Sequence, residues 1–81
     1  MRFERELELT AERLRHLSPA RLEPAREVVY EVLDAMTARD VPRLASHAWG
    51  DQLLLIGRDV SDQQAFIAAL RDLRRRFDLT L

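Results

Sequence analysis

Four arginines lie close together near the end of the chain: Arg71, Arg74, Arg75 and Arg76. On a helix the first three fall within one turn, where their guanidinium groups could bind phosphate oxygens. Nucleic-acid or anion binding through Arg71, Arg74 and Arg75, with Arg58 as a further contact, is therefore the alternative function. Arginine near a helix C-terminus also offsets the helix dipole. Because the net charge is −1, we favour that structural role, and nucleic acid is not the expected partner.

A second group of residues could support acid–base chemistry. His47, Trp49 and Asp51 place a titratable base, an aromatic ring and a carboxylate close together in sequence. The simpler interpretation makes His47 a surface residue and Trp49 a core anchor. The sequence offers no second catalytic partner nearby, so we expect a protein that is not an enzyme and assign no catalytic residue.

The sequence shows no recognisable pattern for a metal or cofactor. His16 follows Glu12 by one helical turn, but two distant histidines without cysteine do not form a ligand set. Gly50 and Gly57 stand alone, so there is no glycine-rich phosphate loop. We therefore expect neither a metal nor a cofactor.

The composition is that of one folded domain spanning residues 1–81. Hydrophobic residues make up 47 % of the chain and charged residues 33 %, and there is no cysteine to form disulfides. No apolar run approaches the roughly 20 residues of a membrane span, and the first residues lack the apolar stretch of a signal peptide. We expect a cytoplasmic protein that does not associate with membranes.

Residues 51–60 are the stretch around which we expect the fold to be organised. Leu53, Leu54, Leu55 and Ile56 form an unbroken apolar run between two glycines. On a strand, successive side chains point to opposite faces, so this run would be apolar on both faces. A layer of helices can cover one face, and we expect a second copy of the chain to cover the other.

Two helices are predicted, at 24–38 and 62–76. In the first, apolar residues recur at helical spacing, and Pro24 lies in the first turn, where its missing N–H costs no hydrogen bond. In the second, Ser61 and Gln64 form a capping box ahead of another apolar stripe.

The start of the chain permits two interpretations. Polar and apolar residues alternate over 2–9, which predicts a strand with Glu4, Glu6 and Glu8 on its solvated edge, followed by a helical turn at 11–16. A stripe at helical spacing also runs through this region, so the alternative is a single helix over 2–17.

Two other segments complete the predicted sheet. Residues 42–49 fit a helix and a hairpin strand equally well. The hairpin is possible because Gly50 and Asp51 suit a tight turn into a strand at 52–57. Residues 78–81 alternate again and predict a last short strand.

Together these elements predict an α+β fold. We expect a small two-layer sandwich, ferredoxin-like in its β-α-(β)β-α-β order, with two main helices on one face of a three- or four-stranded sheet. An all-helical bundle is the alternative. The expected function is a non-enzymatic interaction module that homodimerises through the uncovered sheet face, although the partner could be another protein. The predicted interface consists of Trp49, Leu53, Leu54, Leu55 and Ile56.

Overall fold

Within residues 2–79, which the computed structural model describes, the chain forms five α-helices. They are α1 (Arg2–His16), α2 (Pro19–Leu22), α3 (Arg26–Met36), α4 (Trp49–Arg58) and α5 (Gln64–Leu79). Short 3₁₀ turns at Glu23–Ala25 and Ser46–Ala48 lead into α3 and α4. This part of the chain contains no strand, so the predicted ferredoxin-like α+β sandwich is wrong. The all-helical bundle, our alternative, agrees with the structure.

The predicted strand at 2–9 is part of the long helix α1. Its buried side chains recur every three or four residues: Phe3, Glu6, Leu7, Thr10, Ala11 and Leu14. Glu4 lies in the first turn, and Arg13 and Arg15 lie in the last, where each charge offsets the helix dipole. The helical stripe therefore prevails over the alternation, as the alternative interpretation of 2–17 predicts.

The two predicted main helices are confirmed with shifted ends. The first begins at Arg26, because Pro24 lies in the 3₁₀ turn immediately before it, and ends at Met36. The second begins at Gln64 and continues to Leu79. Residues 78 and 79 are therefore helical, and the predicted last strand is wrong there; residues 80 and 81 lie outside the described residues.

The stretch predicted as the central strand is the helix α4. It packs against α1 through two glycines seven residues apart, a spacing that places both on one helix face. A Cβ at Gly57 would lie 2.5 Å from Cδ1 of Leu7, and one at Gly50 would lie 2.9 Å from the carbonyl oxygen of Ala11. The contacts run in opposite chain directions, so α4 is antiparallel to α1, and the glycines allow the two helices to approach closely.

Helix α5 covers another side of α1. Glu6 of α1 forms ion pairs with Arg71 and Arg74 of α5, and Arg13 forms one with Asp78. Because both residue numbers increase together, the two helices are parallel. No helix within residues 2–79 is both long and apolar enough to cross a membrane.

The core lies between α1, α3, α4 and α5. Its fully buried side chains include Leu33, Trp49, Leu53 and Leu70, each at most 1 % exposed. The rings of Trp49 and Tyr30 pack edge to face, with centroids 5.9 Å apart. The region 42–49 matches neither interpretation: residues 37–45 form an irregular connection, and a 3₁₀ turn then leads into α4.

Candidate functional site

An open groove of about 800 Å³ lies between α4 and the connection that follows α3. Its apolar lining consists of Met36, Ala38, Val41, Pro42, Leu44, Leu55 and Ile56. Charged side chains at its margin carry both signs, since Arg39, Asp40 and Asp59 all contribute to the lining. We call this feature the α4 groove. It is a concave apolar surface of the size that ligands and partner side chains occupy in other proteins.

Leu55 stands at the edge of the α4 groove with 72 % of its surface exposed. Leu44, on the opposite wall, is 41 % exposed. Large apolar side chains exposed beside an apolar groove favour contact with another surface.

The structure separates the five residues of the predicted interface. Successive residues of a helix point about 100° apart, so Leu53 is buried in the core with Trp49, while Leu54 and Ile56 are partly buried. Only Leu55 and Ile56 reach the α4 groove. The sheet-mediated interface is wrong because there is no sheet in the described residues.

Hydrogen bonds fix the connection that forms the second wall of the groove. The Tyr30 hydroxyl accepts a hydrogen bond from the Leu44 N–H at 2.8 Å and donates to Oε1 of Gln52 at 2.8 Å. Gln52 Nε2 donates to the Pro42 carbonyl at 2.8 Å, and Trp49 Nε1 donates to the Leu44 carbonyl at 3.2 Å. The wall is therefore tied to both α3 and α4, and the groove is preformed.

Two arginines cover the aromatic pair beneath this wall. The guanidinium of Arg43 lies 4.5 Å from the ring centroid of Tyr30, and that of Arg26 lies 5.2 Å from the ring centroid of Trp49. Hydrogen bonds from Arg43 lower the pKa of Asp34 below its ordinary value. These contacts hold the connection on its outer side.

Two of the predicted arginines of α5, Arg71 and Arg74, form hydrogen bonds with side chains of α1. Arg74 donates to Oε2 of Glu6 at 2.5 Å and to Oγ1 of Thr10 at 2.9 Å, and Arg71 Nε donates to Oε1 of Glu6 at 3.0 Å. The hydrogen bond from Arg74, helped by the one from Arg71, lowers the pKa of Glu6. Arg74 is therefore turned inward, with its side chain 19 % exposed.

The other predicted anion-binding residues remain at the surface. Arg75 lies 3.6 Å from Asp72, and both side chains are largely exposed. Arg58 is exposed at the end of α4, away from the α5 cluster in sequence. Arg2, which sequence reasoning missed, lines the same surface depression as Arg71 and Arg75. Arg2 lies beside these residues because α1 and α5 pack in parallel, and no local sequence pattern predicts that packing.

The structure does not assemble a site around the histidines. His47 is exposed on a 3₁₀ turn, while Asp51 forms an ion pair with Arg15 at 2.5 Å. His16 contacts Glu12 at 2.7 Å on the exposed face of α1. Among the residues that the structure describes, no three His, Cys, Asp or Glu side chains converge where they could hold a metal ion.

The geometry thus offers one apolar groove and one arginine-lined depression as candidate sites. Comparisons of the chain with protein-family models, with curated proteins and with solved structures give no match.

Proposed function

We propose that this protein is a non-enzymatic interaction module that self-associates through the α4 groove. The observation that carries the proposal is Leu55, a leucine 72 % exposed at the edge of an apolar groove. This surface replaces the sheet face as the site of association. The groove is formed by helix α4 and by the connection after α3, which hydrogen bonds attach to both helices. Binding would therefore require little rearrangement.

A second copy of the chain suits this surface because the surface is self-complementary. A convex side chain, Leu55, stands beside a concave groove, so a two-fold axis could place each leucine in the groove of the partner copy. The margin carries Arg39 together with Asp40 and Asp59. The same axis could pair these opposite charges across the interface, which favours one orientation.

The expected association is weak. Fully burying a leucine side chain contributes about 1.5 to 3 kcal/mol, so two leucines in two grooves contribute roughly 3 to 6 kcal/mol. The loss of translational and rotational freedom offsets a comparable amount. Little net free energy then remains, so we expect a dissociation constant no tighter than about 10 μM.

Sedimentation equilibrium from about 10 to 500 μM protein tests the proposal. The weight-average mass of the wild type should rise toward that of a dimer, and Leu55→Asp should remain monomeric. Leu9→Asp is the matched control, because Leu9 is an exposed leucine of α1 (44 %) outside the α4 groove; it should associate like the wild type. A wild type that stays monomeric, or a Leu55→Asp variant that dimerises normally, would exclude self-association through this surface.

The same proposal includes a cytoplasmic location and the absence of catalysis. The sequence has no cysteine and therefore no disulfide, a bond found mainly in proteins of oxidising compartments, which agrees with this location. His47 is exposed and Asp51 pairs with Arg15, an arrangement that favours a role in binding over acid–base chemistry.

A further inference from the structure

A depression between the start of α1 and one face of α5 carries an excess of positive charge. Its volume is about 380 Å³, and its polar lining consists of Arg2, Arg71, Arg75, Gln64 and Asp72. Arg74 lies next to it and shares Glu6 with Arg71. Four guanidinium groups therefore face two carboxylates, which leaves this surface positive on a chain whose net charge is −1.

Glu6 orients one of these arginines toward the depression. It accepts a hydrogen bond from Nε of Arg71 at 3.0 Å, which fixes the plane of the guanidinium. Within residues 2–79, this is the one hydrogen bond that the Arg71 side chain donates, so its two terminal NH₂ groups remain available to a ligand. An arginine held in place in this way loses less conformational entropy when it binds an anion.

We propose that this depression binds a phosphate group through Arg2, Arg71 and Arg75, with the carboxamide of Gln64 as a further donor. Guanidinium groups match the oxygens of a phosphate in pairs. The bound anion would balance the positive charge that Glu6 and Asp72 together do not neutralise. Arg74 takes no direct part, because its terminal nitrogens already donate to Glu6 and Thr10.

The phosphate could belong to a small phosphorylated compound or to a nucleic-acid backbone. Isothermal titration calorimetry at low salt can distinguish these sources, with pyrophosphate as one probe and a single-stranded oligonucleotide of about 20 nucleotides as the other. Saturable binding of pyrophosphate alone indicates a small ligand. Tighter binding of the oligonucleotide, lost in the same variants, indicates a backbone phosphate and equally supports the site.

Three variants test the assignment of residues. Arg2→Gln and Arg75→Gln should each weaken pyrophosphate binding at least about fivefold, as expected when a charge-assisted contact is lost. Arg76→Gln is the control, because Arg76 is exposed on the same helix and lies against a different depression; it should bind like the wild type. Both altered residues are at the surface, and circular dichroism should show that each variant is folded.

Two results would overturn the proposal. One is the absence of saturable binding by either probe to the wild type. The other is equal weakening by Arg76→Gln and Arg75→Gln, since that would reveal a general attraction of anions to α5 and no defined site. The self-association of the chain through the α4 groove is independent of both outcomes.

Discussion

Glu6 joins two helices through a single carboxylate. It is 8 % exposed and accepts hydrogen bonds from two arginines of α5, one on each oxygen. The neighbouring Glu4 and Glu8 are exposed. In the sequence the three glutamates are equivalent members of a polar alternation, and only helical geometry directs Glu6 alone toward α5. Its role follows from α1 being a helix, so a strand interpretation could not find it.

The pH dependence of stability should reveal this ion pair. Hydrogen bonds from Arg74 and then Arg71 lower the pKa of folded Glu6 below its unfolded value. The carboxylate therefore stabilises the fold fully above about pH 4.5. This contribution is lost as the pH falls through the folded pKa. Arg26 and Arg43 similarly lower the pKa values of Glu23 and Asp34. These two carboxylates should therefore add to the loss of stability at acid pH.

Thermal unfolding followed by circular dichroism from pH 7 down to about pH 2 measures this effect. The wild-type midpoint should be nearly constant above about pH 5 and should fall below it. Glu6→Gln should have a lower midpoint at pH 7 and a shallower decline in acid, while Glu8→Gln, at an exposed position, should follow the wild type. A Glu6→Gln curve parallel to that of the wild type would show that the ion pair contributes nothing.

At the level of elements, the packing of α4 on α1 depends on the absence of two side chains. Gly57 lies against Leu7, and Gly50 lies against the backbone of Ala11 and the side chain of Arg15. Glycine inside a helix costs about 1 kcal/mol relative to alanine. Two of them on one face of a ten-residue helix therefore indicate that close approach compensates for that cost.

Gly57→Ala should destabilise the fold although alanine is the better helix former. The new methyl group would lie 2.5 and 2.7 Å from the two terminal carbons of Leu7, which is 1 % exposed and cannot move into solvent. Overpacking typically costs about 1 to 3 kcal/mol, of which the gain in helix propensity recovers about 1 kcal/mol. Urea unfolding should therefore give a net loss on the order of 1 kcal/mol.

A double-mutant cycle with Leu7→Ala separates the clash from other effects. Leu7→Ala alone should cost roughly 2 to 5 kcal/mol through the cavity it leaves. In the double variant the alanine at position 57 fills part of that space, so the combined loss should be smaller than the sum of the single losses. Additive losses would mean that the two side chains do not meet, which would contradict the antiparallel packing of α1 and α4.

The elements differ in how far sequence could predict them. Local signals mark α3 and α5: Pro24 precedes the first, the sequence pattern Ser61/Gln64 predicts the start of the second, and both have an apolar stripe. The helix α5 begins at Gln64, so Ser61 is not its N-cap. The run Leu53–Ile56 has no period, so it fits a buried strand as well as a helix. The seven-residue spacing of Gly50 and Gly57 was the available evidence for a helix. The same two glycines also fit the ends of a strand, so this spacing alone does not exclude the strand.

At the level of the whole molecule, the helical conformation of α4 changes which apolar side chains a second copy of the chain has to cover. A strand would have left half of the run at 53–56 uncovered, whereas α4 buries Leu53 and leaves mainly Leu55 exposed. The sequence predicts Leu55 in an interface as part of a strand that is apolar on both faces. In the helix, Leu55 belongs to the proposed interface for a different reason, because it is exposed beside the α4 groove. The groove beside it could not be predicted, since its second wall is the irregular connection after α3, which long-range hydrogen bonds to Tyr30 and Gln52 hold in place.

Self-association through the α4 groove predicts a thermal midpoint that depends on protein concentration. A dimer that dissociates before unfolding stabilises the native state by mass action. For a dissociation constant of about 50 μM, raising the concentration from about 10 μM to 1 mM adds on the order of 1 kcal/mol, which is about 4 to 8 °C for a chain of this size. Calorimetry at both concentrations should show this rise for the wild type and for Leu9→Asp.

The midpoint of Leu55→Asp should not change with concentration and should match the dilute wild type, because replacing a side chain that is 72 % exposed removes little from the monomer. A wild-type midpoint that is the same at both concentrations would mean that the leucine and the groove do not meet between copies.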